Sequence, residues 1–170
     1  TSVTYVAKFR EKAHVTITVD VNDPNMGSVN PSDAQELNPD NGTFTSVAAT
    51  AKAGYEFVNW TNDATGEVVT TNGTLSLTKP ANGWTDATYV ANFKELDKVN
   101  IYFESDTTMG TVSRASQELN PETGVAEAVK ATPNKGYGFV EWKLKDGTKA
   151  ADTAEFTPAK SGEKWIDGTT

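Results

Sequence analysis

Chemistry that needs an imidazole rests on one residue here, His14, and chemistry that needs a thiol has none, because the 170-residue chain contains no cysteine. A Ser/His/Asp relay or a zinc site would have to recruit His14. That histidine stands in a charged run beside Lys12, and Lys98 takes its place where the surrounding sequence recurs. The pattern reads as an exposed linker residue. Thiol catalysis, disulfides and thiolate metal sites are excluded together.

Acids are plentiful, and carboxylates held about 5–9.5 Å apart in a cleft can cleave a glycosidic bond. The chain supplies its own filter, since it repeats and a residue essential to a shared activity should appear in both copies. Glu56 is matched by Gly138, and Glu141 by Asn59, so the acids beside the aromatic segment fail. Asp86 and Asp167 recur, in Trp84-Thr85-Asp86 and Trp165-Ile166-Asp167. They precede a strand-like segment, where capping a turn is the ordinary role of an aspartate. No catalytic site is expected.

Residues 20–27 (Asp20-Val21-Asn22-Asp23-Pro24-Asn25-Met26-Gly27) are dense in the oxygen ligands that calcium takes. Pro24 breaks the alternating ligand spacing, and the second copy, Glu104 to Gly110, is poorer in acids. A plain turn is expected, with no metal and no cofactor. An isopeptide crosslink would need an acid beside Lys8 or Asn92, and the sequence places none there. Of the sequons at Asn41, Asn59 and Asn72, the first and last are Asn-Gly turns.

Trp84 and Trp165 are the better candidates for binding. Both lie in loop-like sequence, Asn82-Gly83-Trp84 and Glu163-Lys164-Trp165. An exposed indole beside polar groups stacks on a sugar ring or anchors a protein contact. With Asp86 and Asp167 they form the candidate ligand-contact set. The competing reading is that each indole covers its own core, as is expected of Trp60 and Trp142.

The elements that must position these residues come in two sets. Thr88 to Glu95 (Thr-Tyr-Val-Ala-Asn-Phe-Lys-Glu) restates Thr4 to Glu11 at an offset of 84. Gln117-Glu118-Leu119-Asn120-Pro121 restates Gln35-Glu36-Leu37-Asn38-Pro39 at 82. Gly136-Tyr137, Phe139-Val140 and Trp142 restate Gly54-Tyr55, Phe57-Val58 and Trp60 at 82. A period of half the chain means two structural units. We divide them at 1–96 and 97–170, with the leading segment 3–9 either belonging to a preceding repeat or pairing as an edge strand. A unit of about 85 residues buries only about 60–65% of its unfolded surface, so it folds with little margin.

Net charge is −8 and the sequence pI about 4.6. Nucleic acid and anionic lipid are thereby disfavoured as partners, since phosphate binding needs clustered Lys and Arg. No apolar run approaches the ~18 residues of a membrane span. Neither an initiator Met nor a signal-peptide pattern is present, so a segment of a longer polypeptide is expected.

Val15, Ile17, Val19 and Val21 alternate with polar residues and read as a half-buried strand; Val99, Ile101 and Phe103 repeat it. Turns closing on Met26-Gly27 and Met109-Gly110 follow, and a positive φ is expected at each glycine. Ser32 to Leu37 can form one helical turn capped by Ser32. Phe44 to Ala51 and Ala126 to Thr132 read as strands. Tyr55 and Phe57 lie on one strand face with Val58 and Trp60 on the other, which requires cover on both sides or a bulge that turns Trp60 inward. Asn72-Gly73 predicts a hairpin between Glu67–Thr71 and Thr74–Leu77. The short Lys94-Glu95-Leu96-Asp97 linker implies units in series with restricted freedom. The chain stops at Thr170, just before a third Tyr-x-Ala-x-Phe strand would begin. If the second unit lacks that strand, an open edge remains that Val3 to Phe9 of another molecule can fill.

This order (a Val-rich strand, a turn ending in Gly, Gly-Tyr-x-Phe-Val-x-Trp, then Tyr-x-Ala-x-Phe) resembles the internalin B-repeat superfamily, and more narrowly its divergent Listeria–Bacteroides-type branch. Two tandem copies, Val15–Glu95 and Val99–Thr170, cover nearly the whole chain. Gly54-Tyr55-Glu56-Phe57-Val58-Asn59-Trp60 and its partner from Gly136 to Trp142 are the most specific motifs. The resemblance implies mainly β units, β-grasp-like with at most a short helical turn, arrayed on the surface of extracellular bacterial proteins. It implies a stalk or an adhesive module facing host or cell-wall glycan or protein, and no active-site residue transfers. The first turn lacks the Gly-Gly of the better-known branch, and the loop through Gln35-Glu36-Leu37 is long.

Overall fold

Alternation along 15–21 does what it predicts: Ile17 and Val19 are buried while Asp20 faces solvent. The computed structural model describes residues 2–160 and 162–168 and, among these, contains strands and turns but no helix. The chain forms two compact units, Thr1–Lys94 and Glu95–Thr170.

Unit 1 holds β1 (Val15–Val21), β2 (Gly27–Asn30), β3 (Gln35–Leu37), β4 (Val47–Ala51), β5 (Tyr55–Asn62), β6 (Val68–Thr70), β7 (Thr74–Leu75) and β8 (Ala87–Glu95), the last of which ends one residue beyond the division. They make a five-stranded sheet, β3-β1-β8-β5-β6, and a three-stranded sheet, β2-β4-β7. β8 is central. It runs parallel to β1, with Ile17 opposite Ala87 and Val21 opposite Ala91. Its direction against β5 is antiparallel, since Asp63 bonds to Thr88 while Asn59 meets Asn92. A strand flanked on both sides carries little exposed polar surface. The Thr88-Tyr89-Val90-Ala91-Asn92-Phe93 run accordingly has no exposed residue.

Trp60 is fully buried and Phe57 packs against the same core, 6.3 Å from Trp60 and edge-on to Phe93 at 5.7 Å. The β5–β6 register slips by one residue between Trp60 and Thr61. A bulge of this kind re-aims neighbouring side chains.

Three local expectations are corrected. The helical turn at Ser32 to Leu37 is instead β3, paired antiparallel with β1. Gln35 holds it there by bonding both the N–H and the C=O of Thr45, at 2.7 and 2.8 Å, and Leu37 turns into the core. Asn72-Gly73 is not a hairpin turn, because β6 pairs with β5 and β7 with β4 in the other sheet. Burying Leu75 decides the crossing, and the Gly73 carbonyl accepts from Ala49 N–H at 2.8 Å. Gly27 and Gly110 do not have positive φ; Gly54 and Gly136 do, at 87° and 92°. Gly27 is required for space, since a Cβ there would lie 2.4 Å from the Phe93 ring.

Unit 2 holds β9 (Val99–Tyr102), β10 (Gly110–Val112), β11 (Ser116–Leu119), β12 (Val129–Pro133), β13 (Trp142–Lys143), β14 (Lys149–Ala151) and β15 (Glu155–Phe156). β11 pairs with β9, β13 with β14, and β12 with β10 and β15. Ile101, Phe103, Leu119, Ala126, Val129 and Trp165 form its core. The slip beside the central tryptophan recurs between Trp142 and Lys143. Among the described residues this unit has no counterpart of β8. Its strands are shorter than those of unit 1, β9 having four residues against seven in β1 and β13 two against eight in β5. Trp142 is only half-buried where Trp60 is sealed. Thr170, where the sequence approaches a third closing strand, lies outside the described residues.

Residues 3–9 form no strand and pair with nothing as an edge: Tyr5 is 92% and Phe9 94% exposed.

Candidate functional site

The four candidate contact residues sit in matched places. Trp84 is buried with its Nε1–H donated to the Gly42 carbonyl at 2.8 Å, and its ring tilts against Phe44 at 6.5 Å. Trp165 is buried likewise and donates Nε1–H to the Gly124 carbonyl at 2.8 Å. Each backbone N–H also bonds the preceding loop, Trp84 to Pro39 and Trp165 to Pro121, both at 2.8 Å. Asp86 accepts the Thr16 N–H at 2.8 Å, and Asp167 the Asn100 N–H at 2.7 Å. The two tryptophans therefore dock on the loop that ends at Gly42 or Gly124, and the two aspartates fasten the same segment to the first strand of their own unit. They converge on no common open surface.

That arrangement explains the Gln-Glu-Leu-Asn-Pro motif, whose role the sequence reading left open. Asn38 and Asn120 cap the turns that reach Gly42 and Gly124. A Cβ at either glycine would meet the asparagine carbonyl, at 2.6 or 2.5 Å. Each turn thus presents one bare carbonyl to an indole. The readable signal was that motif, glycine and tryptophan recur together, at offsets of 82, 82 and 81.

The other candidates are engaged in turns and surface pairs. His14 meets Glu11 at 3.1 Å on the exposed surface. In the oxygen-rich turn, Asp23 accepts the Asn25 N–H and the Lys52 ammonium donates to the Pro24 carbonyl at 2.6 Å. A cation seated there opposes calcium. Asn22 clamps β8, accepting the Phe93 N–H at 2.9 Å and donating to its carbonyl at 2.8 Å. Asn92 donates to the Asn59 side chain at 2.9 Å. Among the described residues no group of three or more His, Asp or Glu is placed to hold a metal ion.

Five exposed groups have shifted pKa values. Glu11 lies below the usual carboxylate range because His14 and then Asn38 donate to it. Asp106 is lowered by the Thr108 hydroxyl, Asp146 by the Thr148 backbone N–H, and Asp152 by the Lys149 ammonium. Lys164 is raised by its bond to Glu122. Acids lowered on folding contribute stability above their unfolded pKa, lost as pH falls through the folded value; the raised lysine contributes below its unfolded pKa and loses that as pH rises. Thermal melts are therefore expected to be flat between about pH 5 and 9 and to fall below about pH 4, with a further decline above about pH 10.5. Because every group is exposed, 0.5 M salt should shrink both declines. A melting temperature that rises on acidification would contradict the assignment.

Two clefts flank Trp142. One, of about 250 Å³, is lined by Met109, Gly110, Val112, Phe139 and Trp142. The other, of about 380 Å³, is lined by Tyr102, Phe103, Trp142, Leu144 and Phe156. The first is the more apolar, with Glu104, Asp106 and Glu141 also at its wall, and the second mixes those apolar side chains with Glu104, Lys143 and Lys145.

Comparison with known proteins returned one kind of match. Neither the curated proteins nor the solved structures contain one that matches this chain. The family model described as the divergent InlB B-repeat domain matches twice, over residues 17–97 and 104–161. The two matches fall on the two units, carry the same indole-docking loop and the same bulge beside the central tryptophan, and together span most of the sequence. The chain belongs to the divergent InlB B-repeat domain family, as two tandem copies.

Proposed function

We propose that these two units are a non-catalytic segment of a bacterial cell-surface protein, acting as a stalk or spacer, with adhesion as a secondary role. The observation that carries this reading is the fate of Trp84 and Trp165. In both copies the residue types best suited to bind a ligand are committed to their own unit's packing and hydrogen bonding. Family membership supports the surface location. No helix among the described residues is long and apolar enough to cross a membrane. The parallel β1–β8 pair at the sheet centre supports a β-grasp-like lineage.

The mechanism is mechanical. A unit of this size is about 30 Å across from size scaling. Only residues 96–98 separate β8 from β9, and a link that short restricts the freedom of successive units. Acidic charge keeps such an array soluble.

Two measurements test the reading. With acrylamide as quencher, one accessible tryptophan component is expected, and it should vanish in Trp142→Phe but persist in Trp84→Phe and Trp165→Phe. The same protein on a glycan array should show no binding. An accessible component lost in Trp84→Phe or Trp165→Phe, together with a glycan that protects it, would overturn the spacer and make this a carbohydrate-binding module. Inserting the chain between a surface anchor and an epitope should raise the epitope's height with unit number.

A further inference from the structure

We propose that Asn72 is a site of spontaneous modification: its side-chain amide cyclises onto the Gly73 backbone nitrogen, loses ammonia and is hydrolysed to isoaspartate and aspartate. The inference is independent of the spacer reading and rests on a comparison among the Asn-Gly steps of the chain.

Asparagine is one of the thermolabile residues. Its cyclisation needs a backbone nitrogen free to attack, a following residue with no side chain in the way, and an amide that no partner holds. The sequence offers three Asn-Gly steps, at Asn41, Asn72 and Asn82. In two of them the fold engages the nucleophile. Gly42 N–H donates to the Asn38 carbonyl at 2.9 Å, and Gly83 N–H to the Pro80 carbonyl at 3.0 Å. Gly83 is also buried and Gly42 half-buried, on either side of the docked Trp84 indole. The two Asp-Gly steps are closed in the same way. Gly147 N–H bonds the Leu144 carbonyl and Gly168 N–H the Asn100 carbonyl, each at 2.9 Å.

Gly73 differs. It is exposed, and among the described residues its N–H meets no acceptor. The Asn72 side chain is exposed as well, and the bond at that residue is made by its backbone N–H, to the Thr70 hydroxyl at 3.1 Å. The cause is the crossing between sheets. β6 ends in one sheet and β7 begins in the other, so no ladder reaches residues 71–73.

Water is the only co-reactant, and nothing is oxidised or reduced. The Gly73 nitrogen gives up its proton and bonds the Asn72 Cγ, while the side-chain nitrogen takes a proton and leaves as ammonia. Water then opens the cyclic imide. Attack at Cγ yields aspartate; attack at the Asn72 main-chain carbonyl yields isoaspartate, whose backbone runs through the β-carbon and is longer by a methylene.

The position gives that lengthening a consequence. The Gly73 carbonyl accepts the Ala49 N–H at 2.8 Å and the Trp60 indole N–H at 3.4 Å, so it ties β4 of one sheet to the sealed tryptophan of the other. A methylene inserted just before Gly73 displaces this carbonyl. Unit 2 supplies the control. There the Ala154 carbonyl takes the same two bonds, from Ala131 N–H at 2.8 Å and Trp142 Nε1–H at 3.3 Å. Thr153 stands where Asn72 does and has no amide to lose.

The test holds the whole 170-residue chain at mildly alkaline pH, where the backbone nitrogen loses its proton more readily, and follows it by peptide mapping with mass spectrometry. Asn72 is expected to convert first, with Asn41 and Asn82 slower by about tenfold, because their glycine N–H must first give up a hydrogen bond. In urea that unfolds both units, the three steps should convert at similar rates. Gly73→Ala should suppress conversion and keep the fold, since Gly73 does not have positive φ and a Cβ would meet only the Ala49 carbonyl, at 3.8 Å. In the aged chain the unit 1 transition should move to lower denaturant, while unit 2 and the aged Gly73→Ala chain keep their midpoints. An Asn72 that stays intact in the folded chain while it converts in urea overturns the proposal. So does an Asn72 that Asn41 or Asn82 matches in the folded chain, or one that converts as fast in Gly73→Ala.

Discussion

Trp60→Ala is expected to unfold unit 1 at markedly lower denaturant, with a loss of about 3–5 kcal/mol. The indole is fully buried, with Phe57 6.3 Å away and its Nε1–H reaching the Gly73 carbonyl at 3.4 Å. Truncation removes the largest of the fully buried side chains and leaves a cavity that two sheets cannot both close around. A unit of about 85 residues has a total stability on the order of 4–13 kcal/mol, so the loss takes a large share of it. Trp142→Ala provides the internal comparison. Its ring still contacts Phe156 at 5.1 Å and Phe103 at 6.2 Å, but one side is open, so a smaller loss is expected. Urea denaturation followed by circular dichroism would show the difference as two separable transitions. Equal midpoint shifts for the two variants would mean that the central strand does not seal Trp60.

Phe93→Ala is expected to be nearly as damaging, again about 3–5 kcal/mol, and to act through β8. The Phe93 ring covers Gly27 so closely that no other residue fits beneath it, and it meets Phe57 edge-on. Its backbone is clamped by the Asn22 side chain. Loss of the ring should loosen the sheet at its centre, and amide exchange along β1 and β5 should speed up well before that of β2 and β4. Phe9→Ala, the same change at the matching position of the leading segment, is expected to move the monomer's stability by no more than about 0.5 kcal/mol, since Phe9 is exposed. Two identical substitutions in two copies of one motif would then differ by several kcal/mol. Uniform exchange across both sheets in Phe93→Ala would show that β8 is not what holds them.

The first-strand alternation and the two-fold repeat were legible because each rests on a period in the sequence, and such periods survive into the fold. Ile17 and Ile101 illustrate this, being buried in both copies at the same repeat position. Local signals failed where two sheets compete for one segment. Asn72-Gly73 has ideal hairpin chemistry, yet burial of Leu75 draws β7 into the other sheet. Ser32 to Leu37 has a cap and a helical length, yet β1 offers Gln35 and Leu37 a ladder and a core. In each case long-range burial outweighs a preference worth about 1 kcal/mol.

The glycines divide along the same line. Gly54 and Gly136 take positive φ, a backbone requirement that a turn imposes locally. Gly27 is glycine because a ring 66 residues away in sequence lies on it, which no window of sequence around Gly27 contains. By itself the sequence determined the number of units, their β class and the residues that recur. Only the tertiary structure decided which indoles face inward, and that β8 sits at the centre of its sheet while its copy at residues 4–9 stands in solvent. The physical reason is that a strand acquires its place from its partners: the same six-residue pattern is a core strand where two edges flank it and an exposed segment where none does.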